Sequence, residues 1–350
     1  MDKKIRIAVL APAEIARRRF MPALAKVGGV EYAGVGVATR EEFSGGPARS
    51  LHSGASAGEN RLVPGDLTLA CEMQGAWGGA VWHGYGALLA DPSVDAVYLP
   101  LPPGLHAAWG RAVLEAGRHL LMEKPFTCSL ADTESLAALA RERCLAVHEN
   151  YMFAFHGQIS FARSLIREGC IGEPRLYRVD FGFPRRQVGD FRYVRALGGG
   201  ALLDCGGYAL KLGAMLAGEG ARVAAASMSA DPESDVDLFG SATLEGTGGV
   251  AQVSWGMDNN YRCSLDVWGS EGTLRTNRIL TAPTGFEPKF EISRNGTVER
   301  VSGPADDSFA KSIEHFRDLV LDPSARLARE EEILAQSRLV EDVRRLAGWS

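Results

Sequence analysis

Leu120-Leu121-Met122-Glu123-Lys124-Pro125-Phe126 is the segment from which the rest of the chain can be ordered. Three apolar residues end a buried strand, and a carboxylate, an amine and a proline follow without a spacer. In open α/β sheets, ligands bind in the crevice outside the carboxyl ends of the strands. A lysine delivered there is held, because the proline after it restricts it to extended geometry. An isolated Glu-Lys-Pro reads equally well as a charged surface turn. What decides is whether a dinucleotide-binding fold precedes it and a proton donor follows it.

Upstream, Ile5-Arg6-Ile7-Ala8-Val9-Leu10 is a short apolar strand and Ala11-Pro12-Ala13 a turn. Residues 14–27 have helical spacing, with Ile15, Phe20, Ala23 and Leu24 apolar, and 32–38 reads as a second strand. Strand, turn, helix and strand open a βαβ unit. Residues 43–79 are rich in Gly, Ser and Ala and read as an insertion or long loop, with a helix allowed over 67–74. A helix over 85–90, a third strand over 94–99 and the turn Pro100-Leu101-Pro102-Pro103-Gly104-Leu105-His106 come next. A helix over 107–117, the strand that delivers Lys124, a helix over 129–143 and a strand over 146–150 complete the alternation. It predicts a parallel, doubly wound sheet.

Downstream the pattern changes. A helix over 158–168 and a strand over 175–183 precede Gly198-Gly199-Gly200, which opens a helix over 201–216. Strand-like runs without long helices follow at 222–229, 236–244, 249–255, 261–268 and 272–276. Tyr261, Cys263, Leu265 and Val267 alternate with Arg262, Ser264, Asp266 and Trp268, as in a half-buried antiparallel strand. Helices over 308–321 and 328–346 close the chain. The fold class predicted is α/β. A Rossmann domain spans 1–150, and an α+β domain spans 151–350. The second domain carries a large, mostly antiparallel sheet with helices on one face only. An open apolar face of that size is usually an interface, which predicts a homodimer or homotetramer.

Composition closes off other classes. A chain of 350 residues, 46% hydrophobic, supports two domains with cores of their own. The net charge of −5, with signs interspersed, argues against nucleic acid as a main partner. Arg17-Arg18-Arg19 is the densest basic run and reads as a solvated helix face. Six cysteines without a Cys-x-x-Cys pair indicate neither a metal site nor a disulfide framework, and fit a reducing cytoplasm. The apolar run at the start is too short for a signal peptide and is followed by charges. No stretch approaches a membrane span.

Three constellations carry chemistry. The turn after the first strand aligns Ala11, Ala13 and Ala16 with the Gly-x-Gly-x-x-Gly/Ala fingerprint, and only the third fits. Ala13 puts a methyl where backbone meets pyrophosphate, Pro12 has no N–H to offer, and Glu14 brings negative charge. Alone, this turn reads as an ordinary βα connection. The second strand ends in Thr39-Arg40, where NAD enzymes usually carry an acid; a hydroxyl and a guanidinium suit a 2′-phosphate, and a partnerless surface Arg is an equal reading. Asp204 and Tyr208 are i and i+4 in the helix after the glycines, with Lys211 three further on, so an acid, a phenol and an amine share one face. The plainer account is that Tyr208 packs and Asp204 caps.

Taken together, Val94-Asp95-Ala96-Val97, Pro102-Pro103 with His106, Glu123-Lys124-Pro125, and Gly198-Gly199-Gly200-Ala201-Leu202-Leu203-Asp204 resemble the Gfo/Idh/MocA family of nicotinamide-dependent oxidoreductases. Glu149-Asn150-Tyr151-Met152 and Trp268-Gly269-Ser270-Glu271-Gly272 extend the match nearly end to end. Val97 to Pro103, Tyr208 and Arg278-Ile279-Leu280-Thr281-Ala282-Pro283 resemble most the sugar ketoreductases of deoxysugar and surface-polysaccharide pathways.

The resemblance implies hydride transfer between NADP (preferred) or NAD and a sugar or sugar-nucleotide ketone or alcohol. It implies that Ala11, Pro12, Ala13, Glu14, Ile15, Thr39, Arg40, Pro100, Leu101, Pro102, His106, Glu123 and Lys124 line the cofactor. Lys124, Tyr208 and Asp204 are then catalytic, and Tyr151 and Lys211 join them at the substrate. It also implies a cis Lys124–Pro125 peptide. Two rival readings stand beside it: an NAD-holding glycoside hydrolase or lyase on the same fold, and a non-catalytic relative with a degraded phosphate turn.

Overall fold

Two sheets form in the computed structural model, which describes residues 4–45, 64–187 and 189–349. The first has six parallel strands in the order β3-β2-β1-β4-β5-β6. They are β1 Ile5–Val9, β2 Val30–Val37, β3 Ala80–His83, β4 Ala96–Leu99, β5 His119–Met122 and β6 Val147–Glu149. β1, β4 and β5 are short and largely buried, and β4 is buried throughout, as strands covered on both faces must be. Helices Tyr85–Ala90, His106–Glu115 and Leu130–Glu142 cover the sheet, with Trp109, Leu120, Phe126 and Leu136 in one core. Strand order reverses between β1 and β4, the switch point at which such sheets open a crevice.

Two local readings change. The helix expected over 14–27 holds a wide π turn, Ala16–Phe20, before Met21–Leu24, and β3 was not expected. Four residues, Ala-Val-Trp-His, emerging from a Gly-rich segment carry too little periodicity to show as a strand. Within the insertion, Pro64–Trp77 is helical, longer than the 67–74 expected, and 46–63 lies outside the described residues.

The second sheet has eight strands in the order β14-β13-β12-β11-β7-β10-β9-β8. The strands are β7 Pro174–Gly182, β8 Arg222–Ala230, β9 Asp237–Gly246, β10 Gly249–Gly256, β11 Arg262–Gly269, β12 Gly272–Asn277, β13 Lys289–Arg294 and β14 Thr297–Ser302. Only the β7–β10 pair is parallel. β13 and β14 were missed, although Asn295-Gly296 between them, both at positive φ, is a strong hairpin signal. On β11, Cys263, Leu265 and Val267 face the core as expected, whereas Tyr261 precedes the strand and is exposed. The helix Gly207–Ala217 packs on the inner face, where a Cβ at Gly213 would come within 2.7 Å of Val253.

The outer face is not the apolar surface expected. It presents Arg178, Asp180, Ser241, Gln252, Ser254, Arg262 and Asp266, with Arg262 3.1 Å from Asp180, alongside Phe239 and Trp268.

The chain forms two compact units, Met1–Asn150 with Phe309–Leu334, and Tyr151–Ser308 with Ala335–Ser350. A single division after residue 150 therefore has to be corrected for the C-terminal helices, much of which belong with the first sheet.

Candidate active site

In the first unit, three turns leave neighbouring strand ends: residues after β1, after β4 and after β5. The turn Ala11-Pro12-Ala13 needs no glycine for its shape. The non-glycine residues at positive φ are Cys144, Arg278 and Asn295, so among the described residues the alanines sit in ordinary backbone. Ala11 and Pro12 are buried, Ala13 is half-buried, and Glu14 and Ile15 face solvent. The Glu14 charge is met by Arg17, 3.0 Å from both carboxylate oxygens, a pairing the sequence reading did not anticipate.

Thr39 and Glu42 form a capping box at the start of the helix Arg40–Gly45. The Thr39 N–H donates to Glu42 Oε2 (2.8 Å), and the Glu42 N–H donates to Thr39 Oγ1 (3.2 Å). Glu42 also accepts from the Tyr85 and Gly86 N–H groups. The acid near the second strand is thus committed to backbone, and Arg40 stands exposed at the position beside Thr39.

The proline turn after β4 is fastened by His106, which is wholly buried. Its Nε2 lies 2.7 Å from the Leu101 carbonyl and its Nδ1 2.8 Å from the Pro125 carbonyl. Burial pushes its pKa down to about 4 against the pull of those carbonyls. His106 therefore sits between the Pro100–Pro102 turn and the residue after Lys124; as a neutral imidazole with one N–H, it donates to one of the two carbonyls.

Lys124 is half-buried, and the Lys124–Pro125 peptide is cis, as expected. Beside it, Glu123 Oε1 accepts from the Tyr98 hydroxyl and from Asn150 Nδ2, each at 2.7 Å. Burial raises the Glu123 pKa, opposed by those two hydrogen bonds and by Lys124. Glu149 is buried and accepts from the Phe126 N–H at 2.7 Å, which fixes the far side of the turn. Tyr98, Asn150 and Glu149 were not singled out as site residues; their signal is a polar group at or beside a buried strand end.

In the second unit the geometry around Tyr208 differs from the single helix face that was expected. Leu202–Gly206 is a π turn, and the α-helix begins only at Gly207. The wider turn spoils i, i+4 stacking, and the two side chains have different partners. Asp204 Oδ2 accepts from Arg192 Nε at 2.7 Å, and the Tyr208 hydroxyl lies 3.7 Å from Met152 Sδ. The Tyr208 ring is held by Tyr151, Phe181 and Phe153 at 5.0, 5.5 and 5.7 Å between centroids.

Tyr151 is wholly buried, and Lys211 is nearly so, with its ammonium 5.4 Å from the Tyr151 ring. Tyr151 thus packs on Tyr208, and Lys211 lies over the Tyr151 ring. The glycines explain the rest. A Cβ at Gly207 would fall 2.0 Å from the Tyr151 hydroxyl. Gly198 and Gly200 have positive φ, and a Cβ on Gly200 would strike the Asp237 carboxylate, which accepts from the Leu202 N–H at 2.7 Å. Arg192 and Asp237 were missed because nothing local marks them.

An unstrained βα turn at the switch point, no acid at position 39, and a lysine at a strand end are compatible with a nicotinamide-nucleotide oxidoreductase. Comparison with known proteins places it further. Residues 67–151 match the model of the oxidoreductase family with an NAD-binding Rossmann fold, and 159–275 match the GFO/IDH/MocA C-terminal domain. The chain is 38% identical to a dTDP-3,4-didehydro-2,6-dideoxy-alpha-D-glucose 3-reductase from Saccharopolyspora spinosa, over 98% of this chain and 97% of that one. It is 37% identical to an enzyme of the same name from Streptomyces violaceoruber, over 99% and 96%. A 3-ketoreductase from Actinomadura kijaniata, solved with NADP and TDP-benzene, superposes with a TM-score of 0.86 at 35% identity, covering 98% of each chain. The chain belongs to the Gfo/Idh/MocA family of NAD(P)-dependent oxidoreductases.

Proposed function

We propose that this protein is an NADPH-dependent ketoreductase of a dTDP-linked 3-ketosugar. The observation that carries the reading is the identity of 38% along nearly the whole chain to a reductase of that substrate class. Lys124 and Tyr208 supply the chemistry it needs. The residues fit the cofactor: the turn at Ala11–Glu14 is unstrained, its one acidic charge is paired, and Thr39-Arg40 offers a cation and no carboxylate to a 2′-phosphate. Ala11 to Ile15, Thr39, Arg40 and Pro100 to Pro102 would hold it, with His106 setting the turn. NADPH, when bound, supplies the hydride.

Reduction of a ketone builds negative charge on its oxygen, which requires a positioned cation and then a proton. The Lys124 ammonium stabilises that oxygen. The Tyr208 hydroxyl gives up its proton to it, and an ammonium at the same oxygen stabilises the phenolate left behind. Asp204 accepts from Arg192, which Asp190 also pairs with. The product is the alcohol, with hydrogen on carbon from the cofactor and on oxygen from Tyr208.

Assembly of two or four copies through the outer face of the eight-stranded sheet would bury Phe239 and Trp268, which are exposed there among polar residues. No helix among the described residues is long and apolar enough to cross a membrane, and a cytoplasmic location fits the free cysteines. The test is NADPH consumption with a dTDP-3-ketosugar generated in situ, against free D-xylose with NADP and against NADH. Turnover restricted to the free sugar, or none with any pair, would overturn the substrate assignment.

A further inference from the structure

We propose that Ser312, on the C-terminal helix Ser308–Leu321, is a positioning residue for the Lys124 turn, acting through Asn150 on the Glu123 carboxylate. The inference rests on the reading of Lys124 as the cation at the substrate oxygen. Ser312, His148 and Asn150 are all buried, at 0, 0 and 1% exposure, so no solvent competes for their hydrogen bonds. Ser312 Oγ has one proton and donates it to Asn150 Oδ1 at 2.8 Å. Its remaining contact, His148 Nε2 at 2.8 Å, must then be a donor to it. With Oδ1 so engaged, the Asn150 amide turns its N–H toward Glu123 Oε1 at 2.7 Å, the oxygen that also accepts from Tyr98.

Every proton in this chain points toward Glu123. Reversing the Asn150 amide would set its oxygen against a carboxylate oxygen, two acceptors face to face. Ser312 adds to that preference by donating to Oδ1. Asn150 is also tied by backbone to the strand that delivers Lys124, its N–H donating to Met122 O at 2.9 Å. A Glu123 carboxylate fixed by two donors fixes in turn the start of the turn that carries Lys124.

The polar groups bearing on Glu123 are Tyr98 from β4, Asn150 after β6 and Lys124 on its own turn. Behind Ser312 stands His148 on β6, whose ring lies 5.4 Å from that of His315 on the same helix as Ser312. Loss of a donor to Glu123 raises its pKa, so the acid limb of the kcat profile moves to higher pH. A residue that only packs a helix has no such effect.

The experiment compares Ser312→Ala, Ser312→Thr, Asn150→Ala and Lys124→Ala for kcat, KM for NADPH, pH profile and melting temperature. Asn150→Ala is expected to lower kcat roughly 10- to 100-fold, the loss of a hydrogen bond to a charged group. Ser312→Ala is expected to lower it about 3- to 10-fold, with KM for NADPH within about two-fold and the acid limb displaced upward. Ser312→Thr keeps the hydroxyl and restores both. Should Asn150→Ala fail to fold, Ser312→Ala carries the test alone. An inactive Lys124→Ala beside a Ser312→Ala enzyme of normal kcat and unmoved acid limb overturns the role of Ser312 only. An active Lys124→Ala overturns the reading of Lys124 and the proposal with it.

Discussion

Behind Lys124 stand polar groups: Tyr98 and Asn150 on the Glu123 carboxylate, the Phe126 N–H on Glu149, and His106 between two carbonyls. Around Tyr208 stand rings: Tyr151, Phe153 and Phe181, with a glycine where the Tyr151 hydroxyl meets the helix. The difference follows from what each site must hold. A charged amine needs counter-charge and oriented dipoles, which buried hydrogen bonds supply with direction. A phenol that must give up a proton needs its ring fixed, and aromatic edges do this through packing, with the thioether of Met152 as the weak partner of the hydroxyl. One site is therefore sensitive to deleted donors and the other to altered shape.

The sharpest test of that contrast is Tyr208→Phe, which keeps the ring and deletes the proton. A loss of roughly 10²- to 10⁴-fold in kcat is expected, with the NADPH dissociation constant unchanged. Normal turnover would reduce Tyr208 to packing.

Asp237, which caps the Tyr208-bearing segment, is the polar exception in the aromatic half. Burial pushes its pKa up to about 6. An unfolded aspartate titrates near ~3.9, so the folded state binds the extra proton between those values, and stability falls as pH rises from about 4 to about 6. Asp237→Asn keeps an acceptor for the Leu202 N–H and removes the buried charge. It should be more stable than the parent at pH 7, by up to about 3 kcal/mol, with the gap closing below about pH 4. Denaturant melts across pH check this, and a gap that does not change with pH refutes it.

Shape is probed by Gly207→Ala. The added methyl must displace the Tyr151 hydroxyl, at a cost of about 1–3 kcal/mol, and kcat should fall with the melting temperature because the ring beside Tyr208 moves. An unchanged melting temperature would show that the close approach is not tight.

The smallest effect expected is at the rim of the first unit. Arg40→Ala should shift the ratio of NADPH to NADH dissociation constants by about 5- to 10-fold toward NADH, the worth of one exposed ion pair to phosphate. An unchanged ratio removes Arg40 from the 2′-phosphate site.

Much of this molecule was legible in one dimension. The apolar runs of β1, β2, β4 and β5, separated by helical periods, specify a parallel sheet because βαβ units have few alternatives. Glu123-Lys124-Pro125 after such a strand places its own lysine, and the glycine run before Asp204 marks backbone that side chains would obstruct. The strands missed were those with weak or unread local signals: β3, four residues long, and the β13–β14 hairpin, whose exposed edge is rich in charge. Thr39-Arg40 and His106 were found by position, but their partners Glu42, Leu101 and Pro125 were not.

What only the tertiary structure decided is the set of partners. Arg192 on Asp204, Asp237 on Leu202, and Ser312 on Asn150 join residues whose separation in sequence ranges from 12 to 162 positions. The sequence determines the period and the motif because backbone geometry repeats locally. It does not determine these pairs, because a hydrogen bond depends on a distance and an angle that are set only when separate elements pack.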